Sequence, residues 1–193
     1  MRVITLLNED FNTACKDLTN KIKNSFIPDI IVSIPTGGRD VGKMILKELD
    51  NKDILYAEIK VQRNTTKIKE IKIIHYVIKN IPKFLANWIR ILEIEIMLIK
   101  LKFKKTIRTG TVELDENIDA FLKQGYKNIL VVDDAIDSGS TVEFICSYIK
   151  KNYPTNIIKI AVITVTTNKP LVDADYFLYH NRTLVRFPWS HDA

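Results

Sequence analysis

The segment from Asn128 to Lys151 constrains the fold of this chain more than any other. An apolar run, Ile129-Leu130-Val131-Val132, passes into Asp133-Asp134-Ala135-Ile136-Asp137-Ser138-Gly139-Ser140-Thr141 and then into a helical stripe of Val142, Ile145, Cys146 and Ile149. An unbroken apolar run bounded by a glycine turn suits a strand covered on both faces, the habit of a parallel sheet. The same unit occurs earlier: Ile30-Ile31-Val32-Ser33-Ile34 stops at Pro35-Thr36-Gly37-Gly38, and from Arg39 to Leu49 the residues Val41, Met44, Ile45 and Leu49 recover helical spacing. Two strand–turn–helix units predict an α/β fold with a parallel sheet flanked by helices.

The rest of the chain fits around them. Residues 8 to 24 carry Phe11, Ala14, Cys15, Leu18 and Ile22 on one helical stripe, so a helix opens the chain. A second strand is expected over Ile54 to Val61, a helix over about Leu114 to Lys123 and a further strand over Ile157 to Val165. Residues 64 to 110 form a basic, isoleucine-rich block that interrupts this order and reads as an insertion. Pro82 can start a helix there through Phe84, Leu85, Trp88, Ile89 and Leu92 to about Leu98, whereas Ile99 to Lys104 alternates with strand period and is left open. The expectation is a single domain over 1–193, with a helical insertion at 64–110 and a small C-terminal segment at 166–193.

The 193 residues, 46% hydrophobic and 27% charged, suffice for a core without disulfides or a structural metal. Cys15 and Cys146, the two cysteines, have no CxxC or Cys/His companions, and His75, His180 and His191 lie at unrelated spacings, so no zinc site is indicated. Both cysteines sit on apolar stripes and read as small core residues. The opening residues lack an apolar secretory core, and no stretch of roughly 18 apolar residues is present, which makes a cytoplasmic protein the expectation. A net charge of +6 suits nucleic acid, an anionic membrane surface or a phosphorylated small molecule, and does not choose among them.

Ligands of open α/β sheets bind beyond the carboxyl ends of the strands, where both glycine turns fall. Asp137 to Thr141 offers successive N–H groups, hydroxyls and a helix N-terminus, all suited to a phosphate. Asp133 and Asp134 are the opposite kind of group: they repel phosphate but accept hydrogen bonds from a vicinal diol or hold Mg²⁺. A phosphorylated ribose meets both demands. The plainer alternative has the two acids ending a strand while Asp137 or Ser138 caps the following helix.

The run Val131 to Thr141 resembles the phosphoribosyl-pyrophosphate (PRPP) motif of the type I phosphoribosyltransferases, and the pattern is closest to the purine (xanthine-guanine and hypoxanthine) members. Ile31 to Gly38 resembles the family's pyrophosphate loop. Pro170 to Tyr176, with Phe187-Pro188-Trp189, resembles its C-terminal base-binding hood. The resemblance implies a type I phosphoribosyltransferase fold and a Mg²⁺-dependent transfer of a phosphoribosyl group from PRPP to a nitrogenous base, most simply a 6-oxopurine, with release of pyrophosphate. Carried over residue by residue, Asp133 and Asp134 contact the ribose hydroxyls and the metal, and Asp137, Ser138, Gly139, Ser140 and Thr141 hold the 5′-phosphate. Asp137 also exchanges a proton with N7 of the purine. Pro35, Thr36, Gly37, Gly38 and Arg39 form the pyrophosphate loop, and Ile136, Lys169, Leu184, Phe187 and Trp189 face the base.

Three positions depart from the family pattern. Thr36 stands before the glycine pair where relatives often place Arg or Lys, with Arg39 following instead. Leu184 stands where an aromatic ring commonly stacks on the base, and Ser190 where an acid commonly helps hold magnesium. Trp189 is as suited to filling the edge of the core as to covering the base. These departures keep two other readings in view: a non-purine acceptor, such as a surface-carbohydrate intermediate, and a PRPP-sensing regulator without turnover. In this family the segment between these strands supplies a mobile flap, so the insertion is expected to be a lid or assembly surface of a homo-oligomer, dimer or tetramer. Its lysines and Arg108 leave a peripheral membrane contact through 82–108 as the competing use, with no nucleic acid expected.

Overall fold

The computed structural model describes residues 2–63, 110–113, 116–123, 127–180 and 183–190. The chain divides into two compact units, residues 1–62 with 111–193, and residues 63–110. The helix and the lid or membrane role expected for the insertion lie outside the described residues.

A four-stranded parallel sheet organises the first unit in the order β3-β2-β6-β7, with β2 at Ile30–Ser33, β3 at Leu55–Glu58, β6 at Asn128–Ile136 and β7 at Ile157–Val165. The apolar runs supply it because both faces are covered. On one face Ile30, Val32, Ile129, Val131, Ile160 and Val162 pack with Leu122 of helix α3 (Glu116–Lys123) and with Val142, Ile145 and Ile149 of helix α4 (Ser140–Asn152). On the other, Ile31, Leu130, Val132, Ala161 and Ile163 meet Phe11, Leu18 and Ile22 of helix α1 (Asn8–Lys23) and Val41 and Ile45 of helix α2 (Gly37–Leu49). Successive residues of each strand thus serve opposite layers, as the two-residue period of a strand requires. The start of β6 is fixed by Asp29, whose Oδ2 accepts the backbone N–H groups of Lys127 and Asn128, each at 2.9 Å.

Several boundaries differ from the sequence reading, each for an identifiable reason. A strand, β1 (Arg2–Thr5), precedes the first helix and pairs in parallel with β8 (Thr183–Arg186), a long-range partner that no local pattern announces. The strand expected over Ile54 to Val61 is divided into β3 and β4 (Lys60–Arg63) around the fully buried Ile59, and β4 pairs with β5 (Gly110–Glu113) in a separate two-stranded sheet. Most consequential for the site, β6 does not end at Val132. Its pairing with β2 stops at Ser33↔Val132, whereas pairing with β7 continues through Asp133↔Val162 to Ile136↔Val165. The acidic residues are therefore strand residues, supported from one side only. The C-terminal segment runs along the outer edge of β7, with bridges Ala161↔Tyr176 and Thr164↔Tyr179, before entering β8.

Among the described residues no helix is long and apolar enough to cross a membrane. Both cysteines are free and buried, Cys15 at 0% and Cys146 at 6% exposure, and burial pushes each thiol up to about 12. The thiolate is the reactive form, so neither cysteine is expected to react with a maleimide at neutral pH in the folded protein, and both should react after unfolding in urea. Rapid labelling of the native protein at either position would contradict this packing.

Candidate active site

The overhang of β6 past β2 leaves a notch beyond the carboxyl end of β2, and the start of α2 fills it. Ile34 N–H bonds to Val132 O at 2.9 Å, the Pro35–Thr36 peptide is cis, and the helix begins at Gly37, two residues earlier than its apolar stripe predicts. This approach is possible only without side chains. A Cβ on Gly37 would lie 1.9 Å from Asp134 Oδ2, and one on Gly38 would lie 2.7 Å from Val132 O and 2.8 Å from Asp133 Cα. Pro35, Thr36, Gly37 and Gly38 are thereby brought directly against Asp133 and Asp134.

Asp133 Oδ1 accepts the backbone N–H of Asp134 at 2.9 Å. Burial, and then the charge of adjacent Asp134, push the Asp133 carboxyl well above the usual carboxylate range. A nearby cation or hydroxyl donors would favour the charged form of such a carboxyl. Asp134 Oδ2 accepts a hydrogen bond from Trp189 Nε1 at 3.0 Å, a contact between residues 55 apart in sequence.

Beyond β6 the chain turns through Asp137, Ser138 and Gly139. Gly139 takes φ +76, the left-handed region open to glycine, and acts as N-cap of α4 without a side-chain cap bond. Thr36, N-cap of α2, makes none either. Asp137 is not the helix cap: its exposed carboxylate accepts the Thr166 hydroxyl at 2.8 Å. Ser138 Oγ lies 3.0 Å from Ser140 Oγ and 3.4 Å from Ser140 N, while Ser138 O accepts Leu171 N–H at 3.0 Å. Ser140 is buried and Thr141 half-buried on the first turn of α4. The start of α4, where Ser140 N–H meets Ser138 Oγ and the helix dipole is positive, is a setting that favours an anion.

The remaining expected site residues separate. Arg39 does not stand open to a pyrophosphate: its guanidinium forks onto Glu58, with Nε 2.9 Å from both carboxylate oxygens and an ion pair at 2.8 Å. Planar guanidinium and carboxylate match in this arrangement, and Glu58 holds Arg39 above its ordinary range. Ile136 and Phe187, expected to face a base, are 1% and 4% exposed and belong to the core. Leu184 lies within β8, opposite Val3. Lys169 is exposed in the loop after β7. Ser190, at the place of a metal-holding acid, spends its oxygen on the Phe187 N–H at 2.9 Å.

Sequence reasoning missed three partners: Thr166, Glu58 and the donor role of Trp189. Thr166 was the accessible one, because the register Ile136↔Val165 makes the next residues of β6 and β7 neighbours. Glu58 ends a strand beside β2 but carries no motif. For Trp189 nothing local signals the contact.

Residues 5–191 match the family described as the phosphoribosyl transferase domain. Among solved structures, a purine phosphoribosyltransferase from Pyrococcus horikoshii is 20% identical with a TM-score of 0.61, over 99% of this chain and 96% of that one. A xanthine-guanine-hypoxanthine phosphoribosyltransferase from Helicobacter pylori is 15% identical with a TM-score of 0.62, over the same shares, 99% and 96%. At these identities the likeness establishes the shared fold. No curated protein sequence matches the chain.

The two glycines are expected to fail differently when given a methyl group. At Gly38 the obstacle is backbone, so Gly38→Ala should lower the unfolding free energy by roughly 1–3 kcal/mol, the usual cost of overpacking. At Gly37 the nearest obstacle is the Asp134 carboxylate, a side chain that can turn away at the expense of its Trp189 bond, so Gly37→Ala should cost less stability. Urea denaturation of the two variants checks the order; an equal or larger loss for Gly37→Ala would count against the geometry.

Proposed function

The chain belongs to the phosphoribosyl transferase family, and from that premise we propose that it transfers the phosphoribosyl group of PRPP to a nitrogenous base, a 6-oxopurine, releasing pyrophosphate. One observation carries this reading: the acid pair Asp133–Asp134 lies against the glycine pair Gly37–Gly38 while the Asp137–Thr141 turn follows on the same strand. Acids for the ribose hydroxyls, amides for the pyrophosphate and a helix start for the 5′-phosphate then lie along one path. The choice of purine rests on Asp137 and on the two relatives, each named as a transferase of purine bases.

In the proposed reaction N9 of the base forms a bond to the anomeric carbon as the bond to the pyrophosphate oxygen breaks, and the proton on N7 passes to Asp137. Thr166 donates its hydroxyl to Asp137 Oδ1, which orients the carboxylate and leaves its other oxygen to take the proton. The remaining contribution is positional and electrostatic, through groups fixed before the substrate arrives.

Magnesium fits the donor set. Mg²⁺ binds through one or two carboxylates together with substrate phosphates and water, and Asp133 with Asp134 supply two adjacent carboxylates. Among the described residues no cluster of three or more metal-ligating side chains occurs, so the pair suits a metal carried with PRPP rather than a caged ion. Asp133 and Asp134 would hold the ion, which would supply positive charge against the leaving pyrophosphate.

A non-purine acceptor is the second reading, favoured by the burial of Ile136 and Phe187, which offer little surface to a flat base. Incubating the protein with PRPP, Mg²⁺ and a panel of bases while measuring pyrophosphate release tests the choice. Release with hypoxanthine, guanine or xanthine is expected. PRPP binding without release for any purine would move the reading to another acceptor or to a regulator.

Two variants test the assigned roles. Asp133→Asn with Asp134→Asn should abolish PRPP binding in calorimetry while the protein stays folded; undiminished affinity would remove the basis of the site. Asp137→Asn should lower kcat by about 10²–10⁴-fold, the range for losing a general acid or base, with PRPP affinity nearly unchanged. Normal turnover of that variant would reduce Asp137 to a loop residue.

A further inference from the structure

Trp189 is built into the fold so as to aim one atom. Its ring stacks on Phe187 at 5.0 Å and 3°, and meets the edge of Phe11 at 5.4 Å and 86°. Both neighbours are core residues, 4% and 7% exposed. The backbone beneath is pinned by two reciprocal bonds, Phe187 N–H to Ser190 Oγ and Ser190 N–H to Phe187 O, each 2.9 Å. With two aromatic walls and a closed turn, the indole has little freedom, and its Nε1–H goes to Asp134 Oδ2 at 3.0 Å.

We propose that Trp189 is a positioning residue for Asp134: its N–H occupies one carboxylate oxygen and so fixes the direction in which the other is offered to the ribose hydroxyls of PRPP. The inference rests on the reading of Asp134 as a ribose contact. A carboxylate is planar, so pinning one oxygen with a charge-assisted bond settles much of the orientation of the second. Gly37, whose absent side chain leaves room for both Asp134 Oδ2 and Trp189 Nε1, completes the enclosure. Ser190 has a share in this: the oxygen that closes the turn steadies the tryptophan, which steadies the acid.

Three roles for Trp189 predict three results for Trp189→Phe, a change that keeps an aromatic ring but removes the donor. A positioning role raises the dissociation constant for PRPP with Mg²⁺ about tenfold, the lower end for losing a hydrogen bond to a charged group, and leaves the KM for the acceptor base unchanged. A base-covering role raises the acceptor KM and spares PRPP, and a packing role lowers stability alone; either result overturns the inference. A second measurement does not depend on that variant folding. Trp88 and Trp189 are the two tryptophans, so Trp88→Phe leaves Trp189 as the sole indole reporter. Its emission should shift when PRPP and Mg²⁺ bind, and an unchanged spectrum at saturating PRPP, with binding confirmed by calorimetry, overturns the inference. If Asp133→Asn with Asp134→Asn loses PRPP while Trp189→Phe retains full affinity, the inference fails and the proposed function stands. Failure of the wild-type protein to bind PRPP removes both.

Discussion

A Cβ on Gly37 would sit 1.9 Å from Asp134 Oδ2, and one on Gly38 would press into the backbone of β6 at 2.7 Å. Those two missing side chains are the condition on which the site depends. They let the first turn of α2 occupy the notch where β6 outruns β2, and so bring the Pro35–Gly38 turn and the acid pair together. The contact would otherwise cost either the helix position or the strand pairing, and both belong to the core. The glycines thus act by permitting an approach that two other elements then maintain.

The acidic pair shows what the approach achieves. Two adjacent carboxylates at a strand end would be solvated and unremarkable on an open surface. Here helix, hood and strand close around them, and burial with mutual repulsion lifts the Asp133 carboxyl above its ordinary range. Such a pair is poised for whatever brings hydroxyl donors or positive charge to it. Asp137, exposed and held by Thr166, lies outside that enclosure and keeps a different character. Three acids within five positions are thereby divided between an enclosed pair and one exposed side chain.

Much of the frame was legible because burial on both faces leaves a strong mark: Ile30 to Val32 and Ile129 to Val132 are apolar at every position, and the structure uses every one. The glycine turns and following helices were legible for the same local reasons. What escaped was non-local. Asp133 and Asp134 read as able to end the strand, since they break the apolar run, yet β7 alone supplies enough backbone partners to keep the chain extended to Ile136. Strands β1 and β8 exist through each other, at opposite ends of the sequence. Trp189 could be placed near the base or in the core, and it stands on the core while touching the acid. Arg39 looked like a cation for the pyrophosphate because its partner, Glu58, lies on a different element, the strand β3.

That last pairing has a consequence for how substitutions combine. Arg39 and Glu58 are joined through a guanidinium–carboxylate fork, half-buried, one residue past Gly38. Altering either residue alone leaves a stranded charge beside the Gly37–Gly38 turn. A lone carboxylate there repels anions, whereas a lone guanidinium attracts them. The two positions are consequently coupled in energy: a double substitution that removes both charges disturbs the turn less than the two single substitutions would suggest when added.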